Sequence, residues 1–208
     1  MLVYSKGNPD KILNDNPVLD REATVALTKQ LFPSEKMRAL DDGDLSNTCP
    51  PDAEIVVGCF PGLTVVAAKE FGVDHPSKLP AKFVEAFPGY SVYLHAMHSS
   101  VDWFAYAIWK EGKLQRSLSL SPDSGVLEDL GNRLPFEAPY WAGDHPAVDP
   151  DEDDTEYPFV FHPLELGEAA LRSLFGYQLE GVTDAGNLEP ETIRLMRFKR
   201  EKSWWRFG

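Results

Sequence analysis

The segment SVYLHAMHSSVDWFAYAIWK, residues 91–110, sets His95 and His98 three apart in an apolar stretch, with Asp102 close behind. Imidazole changes charge near physiological pH, ligates metals and accepts protons; a neighbouring carboxylate fixes its tautomer and raises its basicity. If the segment coils, a spacing of three puts both rings on one helical face, as metal sites use. If it is extended, side chains alternate and the two rings leave by opposite faces. Val92, Tyr93 and Leu94 favour a strand. A shared ion or a joint acid–base pair then needs a bulge near His98, where Ser99-Ser100 leave room. The bland account is one hydrogen-bonded histidine on each face. His95 by itself shares a face with Tyr93 and Met97, and a neighbouring strand can bring Asp102 or Asp123 to it. The candidate catalytic residues are therefore His95, His98, Asp102 and Asp123, and no metal set is read.

Two further stretches offer binding chemistry. In SPDSG, Ser121 and Ser124 can donate to a phosphate or carboxylate, although Pro122, Asp123 and Gly125 equally make a plain Asx-type turn. The glycine before the serine that a nucleophile elbow needs is missing. In WAGDHP, Asp144 and His145 follow Tyr140 and Trp141, an aromatic and polar loop of the kind that lines ligand clefts; His162, in FHP, lies in the same irregular region. Cys59 is flanked by apolar strand residues and reads as core filler.

The charge balance narrows the partners. Thirty-three acids against 20 bases leave a net charge of −13, which repels phosphate backbones and anionic membranes. Nucleic-acid and membrane partners are not expected; a small molecule or a protein is, and a homodimer is compatible. DPDEDDTE, residues 149–156, lacks calcium-loop spacing and reads as a solvated segment. Residues 194–208 carry six bases and one acid, so the two segments can pair within or between chains. Neither a secretory signal nor an apolar run of membrane-spanning length is visible. Cys49 and Cys59 have no disulfide spacing. A cytoplasmic location is expected.

Apolar residues make up 43% of the chain, enough for a sizeable core. MLVYS suits a strand. DREATVALTKQLF suits a helix capped by Asp20, stopped by Pro33, with Leu19, Ala23, Ala26, Leu27 and Leu31 inward. EIVVGCF and LTVVAAKEF suit an antiparallel pair, joined through Pro61-Gly62 by a connection wider than a tight hairpin. HPSKLPAKFVEAF suits a helix burying Phe83, Val84 and Phe87. SVYLHAMHS and VDWFAYAIWK suit aromatic strands. In LQRSLSLS, Leu114, Leu118 and Leu120 fall on one face and Ser117, Ser119 and Ser121 on the other. Residues 122–162 read as irregular, VLEDLG within them as a helical turn, and HPLELGEAALRSLF as a helix. TIRLMRFKR leans to strand.

CFPGLTVVAAKEF, HPSKLP, VYLHAMHSSVDW, SLSLSPDSGVLEDLGNRLPFEAPYWAGDHPAV and FHPLELGEAALRSLFGYQLEG together resemble an uncharacterised actinobacterial protein family, a domain of unknown function. The resemblance spans most of residues 1–200, with the Trp-Trp tail outside it. It implies a bacterial cytoplasmic setting and carries over no mechanism, cofactor or catalytic residue.

The expected architecture is one α+β domain over residues 1–208: an antiparallel sheet with helices packed on one face, a ferredoxin-like core with extra strands and a C-terminal helix, the loop region 122–162 over the other side or an edge, and a basic aromatic tail at 199–208. The expected function is a binding module for a small molecule or protein at an aromatic-lined cleft built from Ser121, Ser124, Tyr140, Trp141, Asp144 and His145. The alternative is a hydrolase-type enzyme with a His/Asp pair, metal-assisted or not. No cofactor is assigned.

Overall fold

A computed structural model describes residues 1–148, 157–181 and 186–201. The acidic segment 149–156 and residues 202–208 of the tail lie outside them. The chain runs β1 (Leu2–Ser5), α1 (Pro9–Asn14), α2 (Arg21–Leu31), β2 (Met37–Ala39), β3 (Gly43–Asp44), β4 (Glu54–Phe60), β5 (Leu63–Ala67), α3 (Ala81–Val84) and β6 (Ser91–His98). It continues through β7 (Trp103–Lys110), β8 (Lys113–Ser121), β9 (Gly125–Gly131), α4 (Ala138–Ala142), α5 (Pro163–Phe175) and β10 (Arg194–Arg200).

The β-branched and aromatic runs form one ten-stranded antiparallel sheet in the order β2-β10-β4-β5-β1-β6-β7-β8-β9, with β3 beside β10. Within it, β1, α2, β4, β5, α3 and β6 take the order β4-β5-β1-β6, the strand arrangement of a ferredoxin-like motif. Helices, however, lie against both faces rather than one. Alternation in β1 explains why: Leu2 and Tyr4 pack with Leu27 and Leu31 of α2 and with Phe83, whereas Val3 packs with Leu166, Ala170 and Phe175 of α5. Both faces of the central strands are apolar, so each needs its own cover.

Local chemistry accounts for most element ends. Asp20 accepts from the Ala23 amide at 2.9 Å and caps α2. The buried face of α2 holds Thr24 and Thr28 rather than Ala23 and Ala26. Their hydroxyls donate to the carbonyls of Asp20 and Thr24 one turn back, at 2.6 and 2.7 Å, which satisfies them inside the core. Pro80 breaks the helix expected over residues 75–87: a 3-10 turn spans Pro76–Lys78 and α3 keeps only Ala81–Val84. The β4–β5 connection is tight, two residues between Phe60 and Leu63, because Gly62 takes φ +76°.

Residues 125–131 are a strand, not a helical turn: β9 pairs with β8 from Ser121–Gly125 to Arg116–Gly131. Leu114 also departs from expectation. A register shift after Ile108 sets Leu114 opposite Trp109, so it packs with the α2-side cluster while Leu118 and Leu120 face α5. Residues 135–142 fold onto the α5 side through a buried ion pair. Arg116 and Glu137 are 1% and 0% exposed. Arg116 donates to the two Glu137 oxygens at 2.9 and 2.6 Å and to Asp129 at 2.5 Å. The Tyr106 hydroxyl and the Leu134 amide donate to Glu137 as well.

Breaking one member of a fully satisfied buried pair strands the other charge. Glu137→Gln should lose about 3–5 kcal/mol in urea unfolding. The double variant Arg116→Met/Glu137→Leu should lose less than the sum of its single variants.

Candidate functional site

The backbone at residues 91–98 is extended, so His95 and His98 leave β6 by opposite faces. His95 is 4% exposed, points toward α5 and lies 5.4 Å from the Phe104 ring. Its Nε2 donates to the Gly167 carbonyl at 2.9 Å. Gly167 makes this approach possible, since a Cβ there would overlap Met97 Sδ. Burial drives the imidazole down to about 3, against the smaller upward pull of that hydrogen bond. The ring is therefore neutral at physiological pH, with Nε2 spent as a donor.

Asp102 does not reach His95. It sits in the left-handed region, φ +46°, where a 3-10 turn over Ser99–Val101 enters β7. Its Oδ2 lies 3.5 Å from Nε2 of His162. His162 Nδ1 accepts from the Leu164 amide at 3.3 Å and caps α5, which fixes the proton on Nε2. Nδ1 is then occupied and Nε2 faces Asp102, so the contact links α5 to the β6–β7 turn. Tyr157 stacks on the His162 ring at 5.6 Å; burial, and then the Asp102 charge, lift its hydroxyl to about 12.

His98 is exposed at the end of β6. There β6 and β8 end, β7 begins, and residues 72–74 pass over them. A cleft of about 350 Å³ opens at that point, lined by Gly72, Asp74, His98, Val101, Trp103, Ser121, Asp123, Ser124 and Leu127. Four residues anticipated from sequence thus converge: His98, Ser121, Asp123 and Ser124. The Ser124 amide donates to Ser121 Oγ at 3.3 Å. Trp103 Nε1 is buried with no hydrogen-bond partner among the described residues, as is the hydroxyl of Ser119, two residues before Ser121 on the same face of β8. A second cleft of about 290 Å³ adjoins the first, sharing Gly72, His98 and Trp103 and adding Cys49, Asp52, Lys69 and His95.

The other expected ligand residues sit elsewhere. Ser121 faces the α2 side of the sheet, whereas Tyr140 and Trp141 pack against the α5-side core, so they lie on opposite faces and do not share the cleft at His98 among the described residues. Tyr140 stacks on His145 at 4.4 Å and donates to the Glu165 carbonyl at 3.3 Å. Trp141 meets Phe161 edge-on at 5.0 Å, lies under Arg133 at 3.8 Å, and donates to Glu137 at 3.4 Å. Asp144 and His145 are exposed beyond α4.

Asp74 and Trp103 join the cleft without having stood out in the sequence. Trp103 is one of several aromatics in the strand segment VDWFAYAIWK, and Asp74 carries no local signal; only the path of residues 72–79 over β7 and β8 brings it in. Among the described residues no group of three or more His, Cys, Asp or Glu is placed to hold a metal ion, and no helix is long and apolar enough to cross a membrane.

Fold and site together define an antiparallel α+β protein whose polar cleft lies at the strand ends. A family model matches residues 1–198, and the chain belongs to that family, a family of unknown function (DUF6928). Neither a curated protein nor a solved structure matches the chain.

The lowered His95 value has a thermodynamic consequence. The unfolded chain takes up the proton near 6.5 while the folded one stays neutral to about 3. The contribution of His95 to stability is thus whole above about pH 6.5 and lost as pH falls toward 3. Urea unfolding should show stability falling by about 1.4 kcal/mol per pH unit from this group inside that window. His95→Gln should lack this component; an unchanged pH slope would show that His95 titrates normally.

Proposed function

We propose that this protein is a binding module whose small-molecule ligand occupies the cleft at His98. The convergence of Asp74, His98, Ser121, Asp123 and Ser124 around an unpartnered Trp103 indole N–H supports this reading. Buried polar groups without partners are few in folded proteins, and one bordering a cleft suits a ligand acceptor. Two carboxylates, an imidazole and two serines beside a flat indole match a ligand rich in O–H or N–H donors and without net negative charge. Asp74 and Asp123 disfavour the phosphate or carboxylate that the serines by themselves suggest.

The same residue types support a second reading, a hydrolase with His98 in the role first considered for His95. His98, Asp123 and two serines border one cleft, but nucleophilic catalysis requires them within hydrogen-bond reach of one another. Among the described residues the only bond within this set joins Ser124 N to Ser121 Oγ.

Tryptophan fluorescence and calorimetry against panels of neutral sugars and aliphatic amines test the binding reading. Saturable binding should appear in one panel. It should weaken about tenfold in Trp103→Phe, which keeps an aromatic ring and removes the N–H donor, and in Asp123→Asn. Silence from both panels, or unchanged affinity in both variants, contradicts it. Turnover of p-nitrophenyl esters that is abolished in His98→Ala favours the hydrolase instead.

A further inference from the structure

The same end of the sheet carries the opposite polarity at its far side. The register of β2 on β10 sets Arg38 directly opposite Lys199. Directly opposed side chains share a face with their Cβ atoms about 5 Å apart, and like charges there destabilise the pair. Both residues are exposed, as is Lys69 just beyond β5. None of the three makes an ion pair or side-chain hydrogen bond among the described residues. They border one cleft of about 710 Å³ together with Asp52, Ala53, Arg200 and Glu201. Arg200 is already engaged, 2.6 Å from Glu70 and 3.2 Å from Glu35.

Protection of a sheet edge explains Arg38, because β2 is an outermost strand. It does not explain Lys199, on the next strand inward, or Lys69, which lies outside the sheet. Glu54 of β4 lies opposite Lys199 on its other side and Glu70 lies next to Lys69, which offsets part of the charge, but Arg38 and Lys199 still face each other across the ladder. An anion between them relieves that repulsion. The surrounding negative surface, with Asp52 and Glu201 on the rim, turns away long polyanions and leaves room for a compact one.

We infer that this cleft binds a small, multiply charged anion through Arg38, Lys69 and Lys199. The anionic groups are phosphates or carboxylates, both of which three cations can hold. Asp52 and Lys69 also border the second cleft, of about 290 Å³, which lies between this site and the proposed ligand cleft, and this site shares neither Trp103 nor Asp123.

Calorimetry and thermal unfolding on the full chain test the inference, with inorganic pyrophosphate and citrate as separate arms. At least one anion should bind saturably, raise Tm, and lose affinity as sodium chloride is added. Arg38→Gln/Lys199→Gln should bind at least tenfold more weakly. Without anion, Arg38→Gln alone should melt above the wild type, because it removes the like-charge contact and keeps Lys199 opposite Glu54. Binding of pyrophosphate alone assigns phosphate groups, binding of citrate alone assigns carboxylates, and equal binding shows that charge by itself selects. No saturable binding of either anion, or equal binding by wild type and double variant, overturns the inference. Trp103→Phe should leave anion binding unchanged, so this result stands apart from that of the His98 cleft.

Discussion

A sheet that packs helices on both of its faces has little room for water except at the ends of its strands. That constraint organises this molecule. From β4 to β8 the residues alternate between two apolar clusters, one under α2 and α3, the other under α1, α4 and α5. Most polar side chains inside these layers are consumed by partners, since an unpaired buried polar group costs about 1–3 kcal/mol, and the Ser119 hydroxyl and Trp103 indole N–H near the strand ends are exceptions. His95 is consumed by the Gly167 carbonyl, Thr24 and Thr28 by their own helix, and Arg116 by Glu137 and Asp129. What stays open lies where β6, β8, β5 and β10 end and where β7 and β4 begin.

The long stretch 122–162 shows how charge can position a loop. Its first part is β9, held by Glu128, which accepts from Ser117 on β8 and from Ser77 in the 3-10 turn over residues 76–78. Its second part docks through Glu137. The two carboxylates act on opposite faces of the sheet, one fastening the segment that walls the His98 cleft and the other closing the α5-side core.

The strands were legible in the sequence because their signals are local. LQRSLSLS alternates, EIVVGCF and LTVVA are β-branched, and the ferredoxin-like order follows from counting elements. Departures arose where a tertiary contact overrode a local pattern. VLEDLG has a helical spacing of apolar residues, yet pairing with β8 and the bond from Ser117 to Glu128 make it a strand. Ala23 and Ala26 looked like core residues, but Thr24 and Thr28 occupy that face because their hydroxyls find carbonyls one turn back. The site was half legible. Ser121, Asp123 and Ser124 lie in one turn, and His98 ends a recognisable strand, but Asp74 and Trp103 join them only through the path of residues 72–79. Asp102 was separated from His95 by the αL turn that sends it to His162, a consequence no spacing rule reveals.

The sheet faces are sealed and the strand ends are open, and two histidines three residues apart report on that difference directly. Diethylpyrocarbonate labelling of the native protein, read by peptide mass spectrometry, measures each imidazole separately. His98 should be modified in the folded chain while His95 stays unmodified until the protein is unfolded in urea. Modification of His95 at a rate comparable to that of His98 in the native state would show that the α5-side face is open to solvent.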